Sequence, residues 1–318
     1  MDSLSKNRLS PNQINTLTRY AFGQSADEFT ENNIGEFSAL YVIKLADREV
    51  VLKVAPKDNV RILRYEKNAM RAEVEALKSV RANTGVPVPE ALFYDSSRTL
   101  CDSEYFFMEK IDGDNFNAVS PELSAEQNSN ILFQVGRLNR QINGIENEKF
   151  GYLAQMDRQR DNWKSVFTGI VSDILDDGRE AGIKLPVPYE EIENLLKSFT
   201  YACEDVKTPK LIHWDLWQGN ILVNNCEITG IIDFERALYA DILMEYFFRK
   251  HALNKDFCAG YDIDISALDK NAGIRLALYD LYLALIWVIE YYYRKYDVSQ
   301  YAWREEQLIR ACKAFESL

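Results

Sequence analysis

Residues 211–235 read LIHWDLWQGNILVNNCEITGIIDFE. Within this run His213, Asp215 and Asn220 fall at the spacing H-x-D-x-x-x-x-N, and Asp233 follows in the apolar stretch Gly230-Ile231-Ile232-Asp233-Phe234. Two β-prone segments, Asn220 to Val223 and Ile228 to Phe234, flank a turn at Asn224-Asn225. Their pairing would bring Asn220 beside Asp233, with Asp215 on the loop before them. In-line transfer of a phosphoryl group needs little covalent help, but it needs an acceptor hydroxyl held in line and a divalent ion to neutralise the phosphates. Asp215 can accept or aim the hydroxyl proton, while Asn220 and Asp233 offer the hard oxygens that Mg²⁺ prefers. Taken singly, each of the three is also a common turn former, so the joint spacing carries the inference. His213, one of two histidines, is expected to be a scaffold residue that hydrogen-bonds the loop.

The rest of the composition sets bounds. A chain of 318 residues is long enough for two lobes around a cleft. A net charge of −12, with no lysine or arginine run beyond a pair, argues against nucleic acid as a partner and suits a cationic small molecule. The five cysteines are scattered, with no C-x-x-C pair, which predicts a reducing compartment and no zinc site. No signal-peptide core follows the first methionine, so a cytoplasmic location is expected. The most apolar run, Leu281 to Tyr293, is too short to span a bilayer and contains Glu290, and is expected to be a buried helix rather than a membrane anchor.

From the N-terminus, a helix is predicted over Pro11 to Phe22, with Ser10 as its cap. A hairpin of Gly35 to Leu45 with Glu49 to Val54 follows, placing Lys53 on the face of Val51. Arg61 to Arg81 has helical period, and Glu73 adjoins its apolar stripe of Met70, Val74 and Leu77. Glu73 could therefore pair with Lys53 and hold the ammonium against nucleotide phosphates; Glu66, seven residues earlier, is the alternative partner. Strands are predicted at Ala91 to Tyr94 and Tyr105 to Lys110, the second leaving into Asp112-Gly113. Helices are predicted at Ala125 to Ile142, Arg158 to Asp176, Tyr189 to Cys203, Asp241 to His251, Ile274 to Tyr296 and Trp303 to Phe315. The expected fold is α+β and two-lobed: an antiparallel-sheet lobe over residues 1–111 and a mainly helical lobe over residues 112–318.

Taken together, these residues resemble the aminoglycoside phosphotransferase family, which is grouped with choline and fructosamine kinases in a protein-kinase-like fold. The resemblance runs from about Gly35 to Tyr246. His213-Trp214-Asp215-Leu216-Trp217-Gln218-Gly219-Asn220 is similar to the family's H-G-D-L-x-x-G-N loop, Ile231 to Glu235 to its I-D-F/W-E, and Val86-Pro87-Val88-Pro89 to a third family feature. The resemblance implies that Asp215 is catalytic and that Asn220 and Asp233 bind Mg²⁺. It further implies that Lys53 holds the nucleotide phosphates and is itself held by Glu73, and that Glu109 and Ile111 give the hinge backbone for the base. Gly35 and Ser38 are candidate phosphate contacts.

Two departures stand out. Trp214 replaces the usual glycine, and Asp233-Phe234 is followed by glutamate with no activation segment, which favours a small-molecule kinase over a protein kinase. Glu235, Asp241 and Glu245 are candidates for binding an amine-bearing acceptor, with Trp163 or Tyr291-Tyr292-Tyr293 as stacking partners. The expected activity is transfer of the γ-phosphoryl group of ATP or GTP to a hydroxyl of a cationic acceptor such as an aminoglycoside. A metabolic kinase for choline, fructosamine or a related amino alcohol, and a silent nucleotide-binding protein, are the alternatives.

Overall fold

The computed structural model describes residues 6–32, 37–294 and 298–318. Helix α1 (Pro11–Phe22) begins where the Ser10 hydroxyl accepts the Gln13 N–H, with Pro11 at the first position, where a missing N–H costs nothing. Strands β1 (Glu28–Asn32), β2 (Ala39–Lys44) and β3 (Glu49–Val54), helix α2 (Ala69–Asn83), and strands β4 (Ala91–Asp95) and β5 (Tyr105–Glu109) follow. The five strands form one antiparallel sheet in the order β1-β2-β3-β5-β4. Alternation sorts its side chains. Val50, Leu52, Val54, Tyr105 and Phe107 pack with Ile14 and Leu17 of α1. Val51, Phe106 and Met108 face the other way, toward α2. Lys53 lies on that second face.

The helical part comprises β6 (Asp114–Asn115), α3 (Phe116–Val119), α4 (Ala125–Ile142), β7 (Gly151–Tyr152), α5 (Trp163–Glu180), α6 (Tyr189–Phe199), β8 (Lys210–Ile212), β9 (Ile221–Asn224), β10 (Glu227–Ile231), β11 (Leu238–Ala240), α7 (Lys255–Tyr261), α8 (Lys270–Arg294) and α9 (Tyr301–Lys313). The fold is the α+β, two-lobed kinase-like one expected from the sequence. One apolar core runs from Met70, Val74 and Leu77 of α2 through Phe116 and Phe167 to Ile286 of α8, so the packing is continuous past the end of the sheet. Helix α8 has 25 residues and is long and apolar enough to cross a membrane; two-thirds of its most apolar stretch is buried inside the fold, where it packs on α5 and α9.

Helix α7 and the short elements β6, β7, β11 and α3 were not foreseen, and four other differences each have a local reason. Strand β1 was not foreseen because Glu-Phe-Thr-Glu-Asn offers one apolar side chain at the sheet edge. Helix α2 starts at Ala69, not Arg61, because Asn68 adopts φ 60° and the Glu66 carboxylate turns back to accept the Leu63 N–H at 2.8 Å. Helix α5 starts at Trp163, not Arg158, since Arg160 is bridged to Phe150 and Asn162 caps the helix. The predicted helix over Asp241 to His251 is instead two 3₁₀ turns, Ile242–Met244 and Tyr246–Phe248, with Glu245 extended between them at φ −65° and ψ 152°.

Candidate active site

The hairpin β9–β10 is built as the sequence predicts, with Ile221 opposite Ile231; its turn is Asn225-Cys226, at φ 50° and 63°. Gly230 sits where Ile111 crosses, and a Cβ there would lie 2.8 Å from Ile111 Cδ1. The Ile231 N–H donates to the Pro87 carbonyl at 2.9 Å and the Ile232 N–H to the Asn220 carbonyl at 3.0 Å. Strand pairing ends at Ile231, so Asp233 is not in a strand as expected. It adopts φ 67°, a left-handed conformation costly for a non-glycine residue, and its carboxylate thereby turns to Lys53.

The Lys53 ammonium, 5% exposed, lies 2.6 Å from Glu73 Oε2, 2.7 Å from Asp233 Oδ1 and 3.1 Å from Glu235 Oε2. Oxygens of these three carboxylates lie within 4.8 Å of one another. Burial opposes the Lys53 charge, but the three carboxylates outweigh it and hold the ammonium well above its usual range. Burial, assisted by the Asp233 and Glu235 charges and opposed by Lys53, pushes the Glu73 carboxyl up to about 8. Burial alone would raise Asp233 too; its contact with Lys53 wins and lowers it. Three carboxylates around one ammonium leave a surplus of negative charge that a divalent cation would neutralise, and their hard oxygens suit Mg²⁺. Asn220 is buried, and its amide nitrogen donates to the Asp215 carbonyl at 2.8 Å, so its oxygen remains for such an ion. Glu66 is not the partner of Lys53: it pairs with Arg294 of α8.

Asp215 sits half-buried on the loop before this hairpin. Burial pushes its carboxyl up to about 7, with Arg236 opposing and Asp233, Glu235 and Glu290 adding to the rise. A carboxylate poised there can accept a hydroxyl proton near neutrality. Its loop is held from beneath. His213 Nε2 meets the Ile232 carbonyl at 2.9 Å, its ring packs on Phe234 at 4.2 Å, and burial pushes the imidazole down. Gly219 admits the Trp217 ring, which a Cβ would strike at 2.1 Å. Trp214 takes φ 67°, a conformation that glycine adopts freely. Its ring is buried under the loop between Tyr65 and Tyr282, with the Arg236 guanidinium 5.3 Å from its centroid.

Two residues expected to bind acceptor are internal supports. Glu245 is fully buried and accepts from His213 N at 2.9 Å, Trp214 N at 3.0 Å, Asn139 Nδ2 at 2.7 Å and Asn143 Nδ2 at 2.9 Å. Asp241 caps Leu243 and accepts from Arg275 Nε at 2.8 Å and the Tyr279 hydroxyl at 2.7 Å. Glu235, the third, turns inward to Lys53. Trp163 is also core, donating to the Tyr279 hydroxyl at 2.7 Å. The Glu109 N–H is bonded to the Glu90 carbonyl at 2.9 Å, at the last pair of β5. Ser38 is buried just before β2, and Gly35 lies outside the described residues. Sequence reading missed Arg236, half-buried beside Asp215 and paired with Glu290; its place directly after Glu235 was the available signal.

The profile of the APH phosphotransferase enzyme family matches residues 29–263. The chain belongs to this family. It is a phosphotransferase with a hydroxyl acceptor and a nucleotide site. Among curated proteins, none matches the sequence significantly. Solved structures of the same fold include a thermostable mutant of the aminoglycoside phosphotransferase APH(4)-Ia, with 17% identity, a TM-score of 0.71 and coverage of 95% of this chain and 99% of the other. A putative fructosamine-3-kinase from Haemophilus somnus 129PT has 17% identity, a TM-score of 0.67 and coverage of 94% and 96%. The streptomycin–ATP complex of APH(2")-IIa has 16% identity, a TM-score of 0.65 and coverage of 96% and 97%.

Proposed function

We propose that this chain is a small-molecule kinase that moves the γ-phosphoryl group of ATP or GTP to an acceptor hydroxyl at Asp215. The observation that carries it is Lys53, bound to Glu73 and reaching Asp233 at 2.7 Å, beside a loop that aims Asp215. Lys53 holds the nucleotide phosphates and is kept in place by Glu73. Asp233 and the Asn220 oxygen hold Mg²⁺, which when bound offsets charge on the phosphates. Glu109 and Ile111 border the base, and Ser38 lies on the phosphate side. Asp215 orients the acceptor hydroxyl and takes its proton as the oxygen attacks phosphorus. The finer expectation of a polycationic, aminoglycoside-like acceptor loses its support from Asp241 and Glu245, both spent inside the fold; choline-like and fructosamine-like acceptors stay within the reading.

The test is release of ADP or GDP by purified protein with Mg²⁺ across a panel of hydroxyl acceptors, with Asp215→Asn alongside. Acceptor-dependent release that disappears in the variant supports the reading. Bound nucleotide with no transfer to any acceptor or to water sinks it in favour of a silent binding protein.

A further inference from the structure

Helix α8 lies beyond the residues that the family profile matches, yet one of its side chains reaches the catalytic loop. The Glu290 carboxylate, 6% exposed, accepts from Arg236 Nη2 at 3.0 Å, from Arg294 Nε at 3.1 Å and from the Tyr65 hydroxyl at 3.4 Å, all through Oε1. Arg236 follows Glu235 directly. Its guanidinium lies 5.2 Å from the Tyr65 ring centre and 5.3 Å from that of Trp214, the residue before Asp215. Burial opposes the Glu290 charge, but the two arginines outweigh it and hold the carboxyl below its usual range. Arg294 has a second carboxylate partner in Glu66, whereas Arg236, among the described residues, has its one ion pair with Glu290.

Besides Tyr65, three carboxylates act on this guanidinium, Glu290 first and then Asp215 and Glu235. Glu235 is already bound to Lys53. The Asp215 side chain, by contrast, has no hydrogen-bond partner among the described residues; only its carbonyl is engaged, accepting from Asn220 Nδ2 and from the Trp217 N–H. A guanidinium released beside a free carboxylate forms a charge-assisted pair with it, and that pair would occupy the oxygens that must take the acceptor proton. Resting on the phosphotransferase reading above, we infer that Glu290 is a positioning residue for the reaction: it binds Arg236 and keeps it off Asp215, which leaves the Asp215 carboxylate open to the acceptor hydroxyl. From its place on Glu290, Arg236 still offsets the charge of Asp215 without occupying its oxygens.

The experiment follows ADP or GDP release from the magnesium nucleotide by the full chain, with kanamycin, choline and fructosyl-lysine as hydroxyl acceptors and with water alone. Wild type is compared with Glu290→Gln, Arg236→Met, the double variant, Glu66→Gln and Asp215→Asn. Glu290→Gln keeps the shape of the side chain but removes the charge that holds Arg236. It should lower kcat about ten- to hundredfold, the factor a hydrogen bond to a charged group is worth, with the nucleotide KM changed far less. Adding Arg236→Met should bring kcat back to the level of Arg236→Met alone, because no guanidinium is left to capture Asp215; loss of a second partner would not rescue a purely structural Glu290. Glu66→Gln takes a charge from the same network without touching Arg236 and should keep kcat near the wild-type value. A crystal structure of Glu290→Gln should place Arg236 in hydrogen-bond contact with Asp215, at about 3 Å. Unchanged kcat in Glu290→Gln, a double variant no better than the single one, an equal loss in Glu66→Gln, or an Arg236 that stays in place in the crystal overturns the role of Glu290 while the kinase reading stands. Absence of Asp215-dependent release with every acceptor and with water overturns both.

Discussion

Replacing Glu245 tests whether the catalytic loop is held from below by one carboxylate. Its Oε1 accepts from Asn139, Asn143 and the His213 N–H, and its Oε2 from the Trp214 N–H, and all five residues are buried. Glu245→Ala strands four buried donors, and each costs on the order of 1–3 kcal/mol unless water enters the gap. Even with two of them rehydrated, the loss is about 2–6 kcal/mol, a large share of the stability of a typical domain, which is about 5–15 kcal/mol. Glu245→Gln is the sharper variant. Its oxygen can keep the three donors at Oε1, but its NH₂ then faces the Trp214 N–H, donor against donor. That single conflict costs about 1–3 kcal/mol and falls one residue before Asp215, so kcat should drop at least about tenfold while nucleotide KM holds. Urea unfolding followed by circular dichroism gives the first quantity, and steady-state release of ADP the second. An alanine variant with the wild-type urea midpoint, or a glutamine variant with wild-type kcat, refutes the account of Glu245 as the support of the loop.

Other perturbations separate the remaining parts. Asp215→Asn should lower kcat by about 10²–10⁴ with nucleotide affinity intact by calorimetry. Because Asp215 works deprotonated and burial places its carboxyl at about 7, kcat/KM should rise with pH through that value and then level; Arg236→Met, which removes the opposing cation, should move this limb to higher pH. Lys53→Met leaves Glu73 and Asp233 without their shared ammonium, so in the folded variant these two carboxyls take up protons more readily than in the unfolded chain; the stability loss should therefore be larger at pH 8 than at pH 6 by urea titration. Trp214→Gly relieves about 1 kcal/mol of left-handed strain but empties a buried indole site worth about 3–5 kcal/mol, so the variant should be about 2–4 kcal/mol less stable.

Most of what is local was legible in the sequence. The α1 cap, α4, the β9–β10 hairpin and the face of β3 that carries Lys53 follow from periods, caps and turns that act within a few residues, whereas the choice of Glu73 over Glu66 as its partner rested on the family resemblance. The predicted helix over Asp241 to His251 failed for the opposite reason. Its residues are apolar at helical spacing, yet Glu245 earns more from four distant donors than a helix would return, and an extended φ and ψ at that position breaks the run.

The same logic explains why the acceptor face could not be read from acidic residues alone. A carboxylate in the sequence is counted as a surface charge until its partners are known, and here the partners come from far along the chain: Arg275 and Tyr279 of α8 for Asp241, Asn139 and Asn143 of α4 for Glu245, and Lys53 of β3 for Glu235. A second network does the same across the chain, where Glu66 meets Arg294, and Glu290 accepts from both Arg294 and Arg236 at 3.1 and 3.0 Å. It ties the segment before α2 to the end of α8 and to Arg236, the residue after Glu235, which lies beside Asp215. Charges committed in this way fix the geometry around Asp215 before any acceptor arrives.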